Sequence, residues 1–273
     1  MLSRSRLKRG ILIAAIGLTL NLGGCAKTAA STEEDLSWID QSIREFNEAE
    51  YGEQIVENTQ AYSDGSVNAQ KDESQIDRRE NVIHLESRDG SEYYFQMEEY
   101  VGVTLGSDGE ENRYPLDQEH PVEYAMYSAL MTQWELNVSA NEFEYVGMEQ
   151  LDGQAAIKLK RTFRVPEEET LAGMLEAEGI LSEEQMNGNA KLKEAVEKNR
   201  EGKKESSYWF DAESHELLQI ETDTTEELII TDSINGTDDL EAADGRKVPE
   251  SWITTMQYTW PKNYVSLKMP DKS

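Results

Sequence analysis

The stretch FEYVGMEQLDGQAAIKLKRTFRV occupies residues 143–165 and predicts an antiparallel hairpin. At its centre lies Asp152-Gly153, a pair that suits the two positive-φ positions of a type I′ turn. Phe143–Leu151 precedes the turn and Ala155–Val165 follows it, and both segments alternate between apolar and polar residues. One face of the second strand is apolar except for Arg161. Its apolar members are Ile157, Leu159, Phe163 and Val165. The stretch therefore indicates a sheet with one face on a core.

The other face of this second strand is basic, in a chain that is otherwise acidic. Its members are Lys158, Lys160, Thr162 and Arg164. Such a face could bind an anion, or it could pair with acidic residues of a neighbouring strand. Pairing is favoured, because opposite charges across strands stabilise each other and three glutamates lie within reach. These are Glu142, Glu144 and Glu149.

The same reasoning extends the sheet in both directions. Further strands are predicted at Val82–Ser87, Tyr93–Glu98, Tyr100–Leu105, Ser206–Asp211, Glu216–Thr224, Glu227–Asp232, Trp252–Trp260 and Val265–Met269. Helices are predicted at Glu33–Glu50, from Pro121 onward, at Glu167–Glu178 and at Ser182–Arg200. The last of these is nearly all polar and is expected to face solvent. Tyr51–Ser74 is polar and shows no strand pattern, only a turn at Asp64-Gly65-Ser66.

The N-terminus has the order of an export signal. Four basic residues, Arg4, Arg6, Lys8 and Arg9, precede the apolar segment Ile11–Leu22, which is shorter than the roughly 20 residues of a membrane span. Leu22-Gly23-Gly24-Cys25 then resembles the bacterial lipobox. A signal peptide with an incidental cysteine, or an uncleaved anchor helix, are the alternatives.

The lipobox resemblance implies a cleaved signal peptide at 1–24, a lipidated Cys25 and a tether at 25–32. The expected partner is the membrane, through acyl chains of the palmitate type on Cys25, and the expected location is the extracytoplasmic face of the cell membrane. Two acyl chains with roughly 30 methylenes, at about 0.8 kcal/mol each, would make release negligible. Cys25 is the single cysteine, so an intrachain disulfide is impossible.

Charge excludes one large class of partners. The chain has 26 basic and 55 acidic residues and a net charge of −29. Residues 1–24 carry four of the basic residues and none of the acidic ones, which leaves −33 on the remaining 249 residues. Such a chain repels nucleic acid and anionic head groups, so no nucleic-acid partner is expected.

The motifs of common enzymes are not found in this sequence. The three histidines, His84, His120 and His215, lack metal-ligand spacing, and there is no nucleophile elbow, P-loop or dinucleotide fingerprint. Asp232–Asp238 is reminiscent of a calcium loop but lacks its alternating ligands. We therefore expect a non-enzyme without metal or cofactor.

Three segments resemble the LolA- and LolB-like lipoprotein-sorting proteins and their LppX-like relatives. Tyr208-Trp209-Phe210-Asp211 with Ser214 and Leu217–Ile220 is similar to one hairpin of that family. Val146–Gly153 with Ile157–Leu159 is similar to the preceding hairpin, and Val265–Pro270 to the terminal strand. The order of these motifs follows the family from about Glu33 to Pro270. A departure is the long helical insertion at about 166–201.

The resemblance implies an α+β fold over residues 33–273. Its large curved antiparallel β-sheet would be open like a half barrel, with helices packed on the concave face. It also implies that a lipid or other apolar ligand binds in the concave cavity, although ordinary core packing would explain the same residues. The expected lining residues are Trp38, Ile43, Phe46, Tyr93, Phe95, Met126, Leu130 and Trp209. The alternative function is a structural, protein-interaction or sensor lipoprotein of the envelope, with a filled core and no small ligand.

Overall fold

The structure is a computed structural model that describes residues 36–62, 65–87, 90–117, 119–181, 183–234, 250–261, 264 and 266–271. The predicted signal peptide, Cys25, the tether and residues 235–249, which include most of the segment Asp232–Asp238, lie outside the described residues. Within them, helix α1 spans Ile39–Glu48, whereas the sequence predicted a start at Glu33. Residues 36–38 are not helical.

The strands and the other helices follow in chain order. Strands β1–β6 are Tyr51–Ala61, Val67–Asp77, Val82–Glu86, Glu92–Gln96, Val101–Leu105 and Glu111–Pro115. Helix α2 is Pro121–Gln133, and β7 and β8 are Phe143–Leu151 and Gln154–Arg164. Helices α3, α4 and α5 are Leu171–Ala177, Glu183–Gly188 and Ala190–Arg200. Strands β9 and β10 are Lys203–Asp211 and Leu217–Asp223, helix α6 is Thr225–Ile234, and β11 is Ser251–Thr259. Short 3₁₀ turns occur at Ala140–Glu142 and Glu167–Glu169.

The eleven strands of the described residues form one antiparallel sheet. Its order is β6-β5-β4-β3-β2-β1-β11-β10-β9-β8-β7, so two meanders meet where β1 pairs with β11. The outer strands β6 and β7 are not paired with each other in the described residues, and the sheet is open. This confirms the predicted α+β class with a large open antiparallel sheet.

The sheet is curved around its helices. At about 4.8 Å between strands, eleven flat strands would extend about 48 Å, far wider than two helices of about 10 Å each. Yet Phe95 on β4 and Phe210 on β9 belong to one core with α1 and α2. The concave face therefore wraps around these two helices.

The central hairpin has the predicted turn. Asp152 and Gly153 have φ angles of 51° and 84°, both positive as a type I′ turn requires. The register of β7 and β8 shifts between Tyr145 and Gly147, which marks a bulge in the edge strand.

The two longest unpredicted elements are β1 and β2, which occupy the stretch judged to lack strands. They pair along their whole length, from Tyr51 opposite Asp77 to Ala61 opposite Val67. The halves of β1 and β2 next to the turn that joins them carry polar side chains on both faces, so the sequence shows no alternation of apolar and polar residues there. Neighbouring strands supply the stabilisation that propensity does not. The turn predicted between them is present, with Gly65 at φ 81°.

Three other predictions were wrong. Glu227–Asp232 was predicted as a strand but lies in helix α6, because Ile230 is fully buried against the inserted helices. Ser182–Arg200 was expected to be one solvent-facing helix. It is instead two helices, and α5 buries Leu192 and Val196. Residues 266–270 do not form the predicted edge strand. Hydrogen bonds to side chains replace strand pairing there, and Asp77 Oδ2 accepts the Leu267 N–H at 2.9 Å.

The insertion and α6 thus build a second, smaller core. Its buried members are Leu171, Ala172, Leu175, Leu181, Leu192, Ala195, Val196 and Ile230. A buried ion pair between Lys204 on β9 and Glu227 on α6 joins this core to the sheet. Asn199 on α5 strengthens the junction, since its Nδ2 donates to Glu227 Oε1 at 3.0 Å.

Candidate functional site

Helices α1 and α2 cover the concave face and bring most of the predicted cavity residues together. α1 buries Ile39, Ile43 and Phe46, which recur at helical spacing on one side. α2 buries Tyr127 and Leu130 against the same core. We call the cluster formed by these helices and the concave strand residues the concave core.

Seven of the eight predicted residues belong to the concave core. Ile43, Phe46, Phe95 and Leu130 are buried members, and Trp38, Tyr93 and Met126 are partly buried against it. The rings of Tyr93 and Phe95 stack at 6.4 Å, and Phe95 contacts Tyr127 at 5.9 Å. Their role in lining a ligand cavity stays a prediction.

Trp209 lies on the other face of the sheet. Its neighbours in sequence, Tyr208 and Phe210, are members of the concave core, and successive strand residues point to opposite faces. The Trp209 indole donates to Glu149 Oε2 at 3.0 Å, and Lys158 Nζ lies 4.6 Å from its ring centroid. Trp209 is therefore removed from the concave set.

The centre of the concave core is an aromatic cluster that the predicted set largely omitted. Trp134 follows α2 and is 1% exposed, and it packs against Tyr258 and Trp260 at 5.6 and 6.1 Å. Phe46 meets Trp260 almost perpendicularly at 5.4 Å. The alternation of Met256, Tyr258 and Trp260 along the predicted strand Trp252–Trp260 was the sequence signal for this cluster.

Hydrogen bonds fix the two helices to each other and to the sheet. Asn47 on α1 donates to the Leu136 carbonyl and accepts the Leu136 N–H, both at 2.8 Å. Arg78 Nη2 donates to the Trp134 carbonyl at 2.9 Å. The Tyr258 hydroxyl donates to the Gln133 carbonyl at 3.0 Å, and burial raises the pKa of Tyr258, so the hydroxyl remains a neutral donor.

The concave core becomes less tightly buried toward α2 and strands β3 and β4. Leu85, Tyr93, Met97 and Met126 are all partly buried apolar residues there. Methionine adapts its shape readily, and exposed or half-exposed methionines are common on surfaces that bind apolar ligands. We call these four residues the apolar rim.

On the basic strand, cross-strand pairing is present as predicted. Lys158 Nζ lies 3.3 Å from Glu149. Glu142 pairs instead with Arg161 of the apolar face, whose Nη2 lies at 2.7 Å. Lys160 differs, because it pairs with Glu205 on β9 at 2.7 Å rather than with Glu144.

The histidines lie apart from one another. His84 stacks on Tyr94 and lies 3.2 Å from Glu92, and its burial lowers the pKa of the imidazole. His120 lies beside Asp117, and His215 stacks on Trp38 at 4.2 Å. In the described part of the chain, no group of three His, Cys, Asp or Glu residues could hold a metal ion.

None of the helices that the structure describes has both the length and the apolar character needed to cross a bilayer.

Comparisons with known proteins give structural likeness only. No protein-family model and no curated protein matches this chain. Among solved structures it is similar to LprF from Mycobacterium bovis, with 9% identity and a TM-score of 0.46 over 87% of this chain and 97% of that one.

Two further structures carry related descriptions. One is a LolA superfamily protein from Nitrosomonas europaea, with 7% identity and a TM-score of 0.24 over 83% of this chain and 92% of that one. The other is an outer membrane lipoprotein-sorting protein domain from Vibrio parahaemolyticus, with 8% identity and a TM-score of 0.24 over 84% and 93%. No residue role is transferred at identities this low.

Proposed function

We propose that the chain is a lipid-anchored, extracytoplasmic lipoprotein that binds a lipid or another apolar ligand on the concave face of its sheet. The observation that carries this proposal is helix α2, which has a single charged residue although it is not fully buried. The proposed activity is binding, without a chemical step.

Within α2, Glu123 is the single charged residue among thirteen. Tyr127 and Leu130 face the concave core, whereas Tyr124 is 46% exposed and Met126 and Met131 are only partly buried. A surface helix normally carries charged residues on its outer side. An outer side without charged residues apart from Glu123, in a protein with net charge −29, favours contact with an apolar ligand next to the rim.

The open sheet supports the same proposal. A curved sheet whose outer strands are not paired with each other in the described residues can adjust its width without breaking strand pairs, and α1 and α2 contact it mainly through apolar side chains. Burial of an acyl chain against such a surface requires no specific hydrogen bonds and contributes about 0.8 kcal/mol per methylene.

Anchoring through Cys25 is the second part of the proposal. Its support is the lipobox-like Leu22-Gly23-Gly24-Cys25 sequence and the apolar segment before it. Cys25→Ala should move the protein from the membrane fraction to the soluble fraction of fractionated cells, whereas a serine-to-alanine change at Ser31 should not. Membrane retention of Cys25→Ala would contradict lipid anchoring.

Ligand binding can be measured by titration of the exported Cys25→Ala protein with a fluorescent fatty acid. We expect saturable binding at micromolar concentration. Met126→Gln should weaken it about fivefold, since half of a buried Met side chain is worth about 1 kcal/mol. Met174→Gln is the matched control, because Met174 is also partly buried but lies on α3 of the insertion and does not belong to the concave core.

A second candidate function is favoured by the packing of the aromatic cluster. Trp134, Phe46 and Tyr258 are at most 4% exposed and contact one another, so the centre of the concave core is filled. A structural or protein-interaction lipoprotein would have such a core. Absence of saturable fatty-acid binding, together with no lipid in organic extracts of the purified protein, would support this second function.

A further inference from the structure

A cleft of about 230 Å³ lies between helix α1 and the β9–β10 hairpin, beside the aromatic cluster. Its lining residues are Ser42, Glu45, Phe46, Ala49, His215, Glu216, Leu217 and Trp260. We propose that this cleft binds the ammonium group of a small organic cation. The proposal does not depend on lipid binding by the concave face.

The first argument is the aromatic wall. Trp260 and Phe46 meet at 5.4 Å with an interplanar angle of 88°, and the Trp260 indole donates to the Leu217 carbonyl at 3.2 Å. The far edge of Trp260 lies so close to Gly52 that an added Cβ there would come within 2.7 Å of it. The indole is therefore held at both ends, and a fixed aromatic face attracts cations through its quadrupole.

The second argument is the pair of carboxylates. Glu45 reaches the cleft from α1 and Glu216 from the hairpin, so the two negative charges approach from different elements. Glu45 accepts a hydrogen bond from Gln41 Nε2 at 2.6 Å, and Glu216 accepts one from Ser214 Oγ at 3.1 Å. Both donors are neutral, and no Lys or Arg lines the cleft. The charge of each carboxylate is thus available to a ligand.

The third argument is the rigidity of the hairpin turn. The Asp211 carboxylate accepts the N–H groups of Glu213 at 2.8 Å and Ser214 at 2.5 Å. These hydrogen bonds, with one from the Gln154 side chain, lower the pKa of Asp211 to about 2. His215 is held at φ 61°, with its N–H donating to the Asp211 carbonyl at 3.0 Å. The turn therefore places Glu216 before a ligand arrives.

The chemistry of the cleft selects among ligand classes. An anion would meet two carboxylates and be repelled, and an acyl chain would leave both carboxylates facing an apolar group. A quaternary ammonium group satisfies both features at once, because it is attracted to aromatic faces and to negative charge without needing hydrogen bonds. The volume of about 230 Å³ is below that of typical sites for drug-sized molecules, which fits a small head group.

The test is titration of the exported Cys25→Ala protein with tetramethylammonium chloride, with sodium chloride removed in step so that ionic strength stays constant. Indole N–H signals in NMR spectra report on the cleft. We expect a saturable shift of one indole signal, and Glu216→Gln should weaken binding about fivefold. Glu213→Gln is the matched control, since Glu213 is an exposed carboxylate of the same turn that does not line the cleft.

A second pair of variants uses the other wall of the cleft. Glu45→Gln should weaken binding as Glu216→Gln does, and Glu48→Gln on the same helix should not. A shift that grows linearly with concentration would overturn the proposal. It would also be overturned if Glu213→Gln weakened binding as much as Glu216→Gln, because the overall negative charge would then explain the attraction. Neither result bears on fatty-acid binding, which is measured separately.

Discussion

Replacing Glu142 by glutamine should destabilise the protein more than replacing its partner Arg161. Arg161 projects into the core side of β8 and is fully buried, whereas the Glu142 side chain is 20% exposed. Arg161 Nε and Nη2 contact Glu142 Oε2 at 2.8 and 2.7 Å. The guanidinium also lies 4.1 Å above the Phe163 ring, and its Nη1 has no hydrogen-bond partner among the described residues.

The expected loss of stability follows from the difference in burial between Arg161 and Glu142. Removing one partner of a buried ion pair costs about 3–5 kcal/mol, because the remaining charge stays in a medium that solvates it poorly. Glu142→Gln leaves the fully buried Arg161 cation without its carboxylate partner. Because the side chain at position 142 is 20% exposed, some water can reach the cation, and we expect the free energy of unfolding to fall by about 3 kcal/mol. Arg161→Met leaves a carboxylate that solvent can reach and should cost about 1–2 kcal/mol. The double variant replaces the pair by neutral groups and should lie within about 1 kcal/mol of the parent.

The assay is urea unfolding followed by tryptophan fluorescence. With an m-value of about 3 kcal/mol/M, Glu142→Gln should lower the midpoint by about 1 M. Glu144→Gln, two residues further along on β7, is the control, since Glu144 is exposed, and it should change stability by less than about 0.5 kcal/mol. The reasoning is refuted if Glu142→Gln costs less than 1 kcal/mol, or if Arg161→Met is the more damaging single change.

Three further predictions concern other parts of the fold. Asp211→Asn should lower the free energy of unfolding by about 2 kcal/mol. The pKa of Asp211 in the folded protein is about 2, below its value in the unfolded chain, so this contribution should be complete above about pH 4 and disappear as the pH falls toward 2. Acid unfolding of the parent protein and of the variant measures this difference. Gly102→Val should cost about 2–3 kcal/mol in urea unfolding, since a Cβ there would come within 2.3 Å of the Tyr114 ring, and an unchanged midpoint would contradict this contact. Glu227→Gln leaves the buried Lys204 ammonium unpaired and should increase hydrogen exchange in α5 and α6 but not in β3 and β4.

Local signals predicted the parts of the fold that short stretches of chain can specify. Asp152-Gly153 produced the expected turn because a type I′ turn depends on the φ preferences of two residues. Lys158 paired with Glu149 because the hairpin register makes them diagonal neighbours on adjacent strands. The spacing of Ile39, Ile43 and Phe46 likewise predicted the buried side of α1.

Predictions failed where distant segments supply the stabilisation. The strands β1 and β2 carry polar residues on both faces in their outer halves, and pairing with β11 and β3 holds them in place. The sequence Leu228-Ile229-Ile230 favours a strand by propensity, but its residues pack against the inserted helices as a helix.

The sequence by itself determined the acidic charge, the lipobox-like N-terminus, the hairpin turns and the alternation of side chains along each strand. Only the tertiary structure decided which of the two alternating sets of side chains lies on the concave face of the sheet. Tyr208 and Phe210 lie in the concave core, whereas Trp209 lies beside Lys158 on the other face. It also decided that Trp260, Phe46 and Glu216 meet in one cleft. The physical reason is that alternation fixes relative orientation within a strand, whereas the direction of sheet curvature depends on helices packed from far along the chain.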